Sequence, residues 1–462
     1  MASAAGQSPP PRVPFVVVAR TLDIVVDYAG GSLAGFERLT LRNAASQPAT
    51  EVPLVLNRLM RATEITDAAG NVLPMRQDVV VFEDDSVLQV NAIVVGLAHP
   101  VAPGDSVDVT VRYGGHLVGY VETGSLYIQD KVDTAFTIIR QDAFAYPALG
   151  VPSRRVNRAM GFDHPFAFTA RVTVPTGFIV ATAGVASEPV RRDSLTTWTY
   201  RTVVPSPVLN IAVARYRTLV RSGLHIFYFP QDSAGARMVD VAVARAMARY
   251  ASWYGTLEST LPVTIIEIPE NWGSQASLAG GIMETADAFR DQRQLYQLYH
   301  ELSHLWNPPD PPSSPRWNEG LAMFLQWRLA GELDGWAGWD GRIDRVESAV
   351  QRECQALPSC ATVPFADYGK AEMTDLSYSV GLAMFYALYE TLGAETFDRA
   401  YRDFLRRHRT GGATNAALVA AFHAASPASD AIFADWFTTT RWYARLRSGE
   451  SVRTIVNGYP RP

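Results

Sequence analysis

Two spacings of apolar residues divide the sequence. From Val13 to about Val220, apolar and polar positions alternate in short runs such as LDIVVDY, FERLTLRN, VDVTVRY, FTIIRQ, FAFTARVTV, FIVATAG and TWTYRTVV, interrupted by Gly, Pro and Asp. A period of two in β-branched and aromatic residues predicts strands, and many short strands separated by turn signals predict a β-sandwich-like domain. After Ser222, LHIFYF and VTIIEI still predict strands. Between and beyond them the apolar residues recur every three or four positions, in ARMVDVAVARAMARYASWYG, QLYQLYHELSHLW, NEGLAMFLQWRLAG, SYSVGLAMFYALYETLG and TFDRAYRDFLRRH. That spacing predicts helices. The expected organisation is a flexible tail over 1–12, a β-rich domain over 13–220 and a mainly helical domain over 221–462. The segment PPDPPSSP, 308–315, is expected to be a rigid loop between two helices.

Composition narrows the function classes. The chain has 462 residues, 48% of them hydrophobic and 19% charged, enough for full cores in two or three domains. Its 41 basic and 46 acidic residues form no long single-sign run, which argues against nucleic acid as a partner. No apolar stretch approaches the roughly 20 residues that span a bilayer, and the start MASAAGQSPPPRV lacks the apolar segment of a signal peptide. The expected protein is soluble. The small residues before Pro9, Pro10 and Pro11 fit the trimmed front of a secreted or periplasmic precursor, with a cytoplasmic chain as the other reading. Cys354 and Cys360 are close enough to close a small loop in an oxidising compartment; otherwise they are two unpaired thiols.

The chemistry lies in His300-Glu301-Leu302-Ser303-His304, a His-Glu-x-x-His pattern inside an amphipathic helical run. Residues four apart on a helix stand one turn above each other, so both imidazoles reach one tetrahedral ion while Glu301 points beside it. The other histidines, His99, His116, His164, His225, His408 and His423, have no such partner and read as surface or core residues. A catalytic zinc needs a third protein ligand and an open position. Glu319 is the candidate: it follows His304 after fourteen residues, behind Pro315 and Asn318, in the first turn of the next helix. Taken alone it would be a carboxylate favoured by a helix N-terminus. With zinc bound, activated water and a polarised carbonyl point to amide hydrolysis, with Glu301 taking the proton and delivering it to the leaving amine.

Around these residues the sequence resembles the gluzincin metallopeptidase family of alanyl aminopeptidase, aminopeptidase N and leukotriene hydrolase. The family order is a Gly-x-Met-Glu-Asn strand, the His-Glu-x-x-His helix, an Asn-Glu-Gly third ligand and a Tyr-x-x-Gly helix. Here these are Gly281 to Thr285, His300 to His304, Asn318-Glu319-Gly320 and Tyr378 to Gly381. The resemblance implies an α+β multidomain fold, with the β-sandwich-like domain followed by a thermolysin-like, mainly helical zinc catalytic domain. It also implies that Glu284 binds the free α-amine of a peptide substrate, that Tyr378 stabilises the oxyanion, that Met283 lines the first side-chain pocket, and that Gly281 belongs to the substrate-binding strand. Gln141 stands where the family places a glutamine near the substrate amine. An ammonium calls for a carboxylate, and a developing oxyanion calls for an aimed hydroxyl donor.

The sequence departs from the pattern at Thr285, where the family has Asn, and at Val380, where it has Lys. Fourteen residues separate His304 from Glu319 and fifteen separate Glu284 from His300, so the loops about the cleft are expected to be short. The family's large helical C-terminal domain has no counterpart after Tyr378, which implies an open cleft. HELSHLWN before a Pro-rich stretch is also similar to the glycyl aminopeptidases, without their PDZ domain. The expectation is one zinc ion and aminopeptidase action on peptides with a free N-terminus. The alternatives are a zinc endopeptidase or lipid-epoxide hydrolase on the same site, and a non-catalytic scaffold that kept the fold.

Overall fold

The computed structural model describes residues 12–462 except 161–163, 258–261, 277–280, 309–315, 337–338, 370–372, 374 and 410–411. Most of the expected tail and of the loop 308–315 therefore lies outside the described residues. Contacts divide the chain into two compact units. One holds the described residues through Ser233 together with the segment ending at Ala286; the other begins at Ala234 and resumes from Asp287 to Pro462.

The first unit is built from the alternating segments. Phe15–Asp27 pairs antiparallel with Ser32–Asn43 and parallel with Ala167–Pro175, at the centre of an eight-stranded sheet. Leu22, Ile24 and Val26 all point inward, as a period of two requires. A four-stranded sheet, ordered Met75–Phe82, Asp85–Val101, Ala49–Asn57 and Ala148–Leu149, contributes Leu54, Leu56, Ile93 and Val95 to the same core. This is the sandwich that the alternation predicts. Inside it Arg20 and Glu37 form a buried ion pair at 2.8 Å, with the guanidinium over the Tyr146 ring.

The strands Leu224–Tyr228, Val263–Ile268 and Gly281–Thr285 run parallel in a five-stranded sheet, with Arg217–Arg221 and Gln275–Ala276 antiparallel at its edges. Its residues Phe227, Ile266, Ile268 and Met283 share a core with Ile138, Ala181, Ala212 and Ala214 of a three-stranded sheet. That shared apolar burial groups these strands with the β-rich unit, past the linear cut at residue 220.

The second unit is helical. Trp317–Asp334 and Leu376–Leu392 cross at two glycines: a Cβ on Gly320 would lie 2.4 Å from the Cα of Gly381, so neither position has room for a side chain. Arg328 and Asp398 pair inside this unit at 2.8 Å, with the guanidinium 3.8 Å from the Trp253 ring centroid. Cys354 and Cys360 are joined in a disulfide with Cα atoms 5.6 Å apart, which decides between the two readings of the pair. Among the described residues no helix is long and apolar enough to cross a membrane.

Candidate metal centre

The motif helix spans Leu295–Ser303, and its apolar residues Leu295, Leu298, Tyr299 and Leu302 are buried. The α-helix stops at Ser303 and tightens into a 3-10 turn, His304–Trp306, yet His300 and His304 remain one turn apart on one face. Their rings lie 5.0 Å apart. Glu319, in the first turn of Trp317–Asp334, brings Oε2 to 3.4 Å from His300 Nε2 and 3.7 Å from His304 Nε2. One donor atom from each of the three residues lies within 4.8 Å of the other two.

The outer nitrogen of each ring meets a side-chain amide. His300 Nδ1 is 2.8 Å from Gln326 Oε1, an acceptor, so Nδ1 carries the proton and Nε2 presents its lone pair toward Glu319. His304 Nδ1 is 2.9 Å from Asn307 Nδ2, while Asn307 Oδ1 accepts from the Tyr401 hydroxyl at 3.2 Å. Two imidazoles and one carboxylate with converging donor atoms suit zinc with a position left open.

The electrostatics differ between the two rings. Burial works against charge on Glu319, but His304, His300 and Arg316 outweigh it and hold the carboxyl well below the usual range. Burial pulls His304 down to about 4. On His300 burial acts in the same sense, yet Glu319, Glu301 and Gln326 prevail and raise it. Burial pushes Glu301 up to about 7. Tyr378 lies on Leu376–Leu392 with its ring centroid 6.1 Å from that of His300, and burial keeps its hydroxyl protonated by raising it above the ordinary tyrosine value. The Gly320–Gly381 contact explains its position, since each glycine sits within one turn of a candidate residue, Glu319 or Tyr378.

The helical unit thus brings His300, Glu301, His304, Glu319 and Tyr378 together. Gly281, Met283, Glu284 and Gln141 belong to the other unit. Glu284 is fully buried, and its Oε1 accepts from Ser274 Oγ at 2.8 Å and from Thr285 N at 3.0 Å. Met283 is 4% exposed; with Gly281, Asn210, Ile266 and Gln275 it lines a small cavity. Gln141 opens a 3-10 turn, and the next residue, Asp142, accepts from Gln275 Nε2 at 2.9 Å.

Three residues escaped the sequence reading. Gln326 follows Glu319 by seven positions, two helical turns on the same face, a signal that periodicity carries. Asn307 follows His304 by three. Arg316 enters the metal helix in a left-handed conformation, φ 53°, with its guanidinium 5.8 Å from the Tyr378 ring centroid; no local pattern announces it.

No protein-family profile matches the chain. Aminopeptidase 2 of Candida albicans is 25% identical over 152 residues, a stretch covering 31% of this chain and 16% of that relative. The M1 zinc metallopeptidase from Deinococcus radiodurans superposes with a TM-score of 0.66 at 18% identity, over 93% of this chain and 96% of that one. A mutant of that enzyme bound to a Tyr-Ser-Ala substrate gives 0.64 at 18% identity, over 92% and 94%. The chain shares the fold of these zinc metallopeptidase structures. More narrowly, this chain has the M1 metallopeptidase fold.

Proposed function

We propose that this chain is a zinc-dependent aminopeptidase. The observation that carries the reading is the convergence of His300, His304 and Glu319, with Glu301 and Tyr378 beside them. His300 Nε2, His304 Nε2 and a Glu319 oxygen would hold the ion, which supplies Lewis acidity toward the scissile carbonyl and acidifies water. Glu301, buried and raised to about 7, accepts a proton near neutral pH and returns it to the departing nitrogen. The Tyr378 hydroxyl donates to the oxygen on which charge develops. Arg316 places a fixed positive charge beside that tyrosine.

A peptide with a free N-terminus is the proposed substrate class. Tyr-Ser-Ala in the Deinococcus radiodurans mutant supports a peptide, and Glu284 is the carboxylate proposed to meet the ammonium, with Gln141, Met283 and Gly281 about it. One observation favours a second reading, a zinc endopeptidase: Glu284 is fully buried and one of its oxygens is already hydrogen-bonded. Hydrolysis of free and N-acetylated aminoacyl amides and peptides, with and without chelator and with Glu301→Gln as control, separates the two. Chelator-sensitive cleavage of free-amine substrates alone supports the aminopeptidase; equal cleavage of blocked peptides removes Glu284 from its role. The disulfide supports an oxidising compartment. Thiol titration of protein purified from its own source tests this, and two reactive thiols before reduction would refute it.

A further inference from the structure

Next to the metal helices lies a buried cation that the proposed chemistry does not use. Arg342, near the start of helix Asp340–Ala356, is only 7% exposed. Its guanidinium carbon stands 4.1 Å from the ring centroid of Trp327 and 4.9 Å from that of Trp336. Tyr296 stacks on Trp327 at 4.5 Å and completes the aromatic wall. The Nη1 atom of Arg342 is buried without a hydrogen-bond partner.

Among the described residues no carboxylate pairs with Arg342. Two acids further along its own helix are engaged elsewhere: Asp344 meets Arg453 at 3.3 Å, and Glu347 accepts from Val452 N at 2.8 Å. The charge that acts on it is of like sign. Arg345 stands one turn on, exposed, and it adds to burial in pulling the Arg342 guanidinium down to about 10. Stacking on two indoles returns about 2 kcal/mol for a desolvated cation. Withdrawing an ion from water costs several kcal/mol, so the rings alone leave this charge under-compensated.

We infer that Arg342 and Arg345, walled by Trp327, Trp336 and Tyr296, bind a small oxyanion, a carboxylate or a phosphate. Arginine presents a planar fork of donors that matches either group. The site adjoins the metal centre along both of its helices. Tyr296 precedes His300 by four residues, about 6 Å along the helix, and Trp327 follows Gln326, the partner of the His300 ring.

The test uses the tryptophans as the probe and needs no catalytic activity, so it stands or falls apart from the peptidase reading. Sodium phosphate and, separately, sodium acetate are titrated into the full chain at ionic strength fixed with sodium chloride, while indole emission is followed. A saturable change that is lost in Arg342→Met, and whose midpoint rises about tenfold in Arg345→Gln, supports the site. Arg345 is exposed, so its variant carries the test even if Arg342→Met fails to fold. Response to both anions identifies a carboxylate-type oxyanion site; response to phosphate alone identifies one selective for the tetrahedral dianion. No saturable change with either anion, or a change that persists unaltered in Arg345→Gln, overturns the inference.

Discussion

The helical unit and the β-rich unit hold their candidate residues in opposite ways. In the helical unit the chemistry is arranged by local spacing: His300 and His304 are one turn apart, Glu319 and Gln326 two turns apart, and Gly320 and Gly381 let the tyrosine helix approach. In the β-rich unit Glu284, Met283 and Gln141 are placed by strand register and by bonds from distant segments, such as Ser274 to Glu284 and Gln275 to Asp142. A site written in helical periodicity can be read one residue at a time. One written in sheet register depends on which strands meet.

Variants sharpen that contrast, beginning with the largest expected effect. Glu301→Gln should lower kcat by roughly three to four orders of magnitude while zinc stays bound; substantial residual turnover with stoichiometric metal would dismiss Glu301 as the base. Tyr378→Phe should cost on the order of 10²-fold to 10³-fold in kcat with KM little changed, and an effect confined to KM would argue against an oxyanion role. Glu284→Gln is the test of the β-rich unit. If it meets the substrate ammonium, kcat/KM for free-amine substrates falls roughly 10-fold to 100-fold and blocked substrates are unaffected. If its role is structural, the melting temperature drops and both substrate types suffer alike.

Smaller effects address how the helical site is supported. Gln326→Leu should weaken zinc binding about 10-fold to 100-fold, measured by competition with a chromophoric chelator, because the His300 ring loses the acceptor that fixes its tautomer. Unchanged affinity would leave that bond without a role in metal binding. Stability against pH gives the smallest signal. Glu301 is raised from 4.5 to about 7, so its contribution to metal-free stability is complete below 4.5 and is lost as pH rises through 7. Metal-free Glu301→Gln should therefore gain melting temperature over the parent above pH 7 and not below pH 4.5. An equal difference at both ends would contradict the burial of that carboxyl.

The sequence alone carried the strand and helix halves, because periods of two and of 3.6 are set by backbone geometry. It also carried the cluster of His300, His304 and Glu319, since an i, i+4 histidine pair and a carboxylate opening the next helix need no knowledge of distant segments. What it did not carry depends on contacts between elements. The grouping of Gly281–Thr285 with the β-rich unit follows from apolar faces meeting those of Ile138 and Ala212, and the full burial of Glu284 follows from what packs around its strand. The amide partners of the two histidines, the guanidinium of Arg316 beside Tyr378 and the disulfide were likewise decided by side chains converging from separate segments. Periodicity states which face a residue occupies; only the folded chain states what stands opposite that face, and hydrogen bonding, desolvation and charge all turn on the latter.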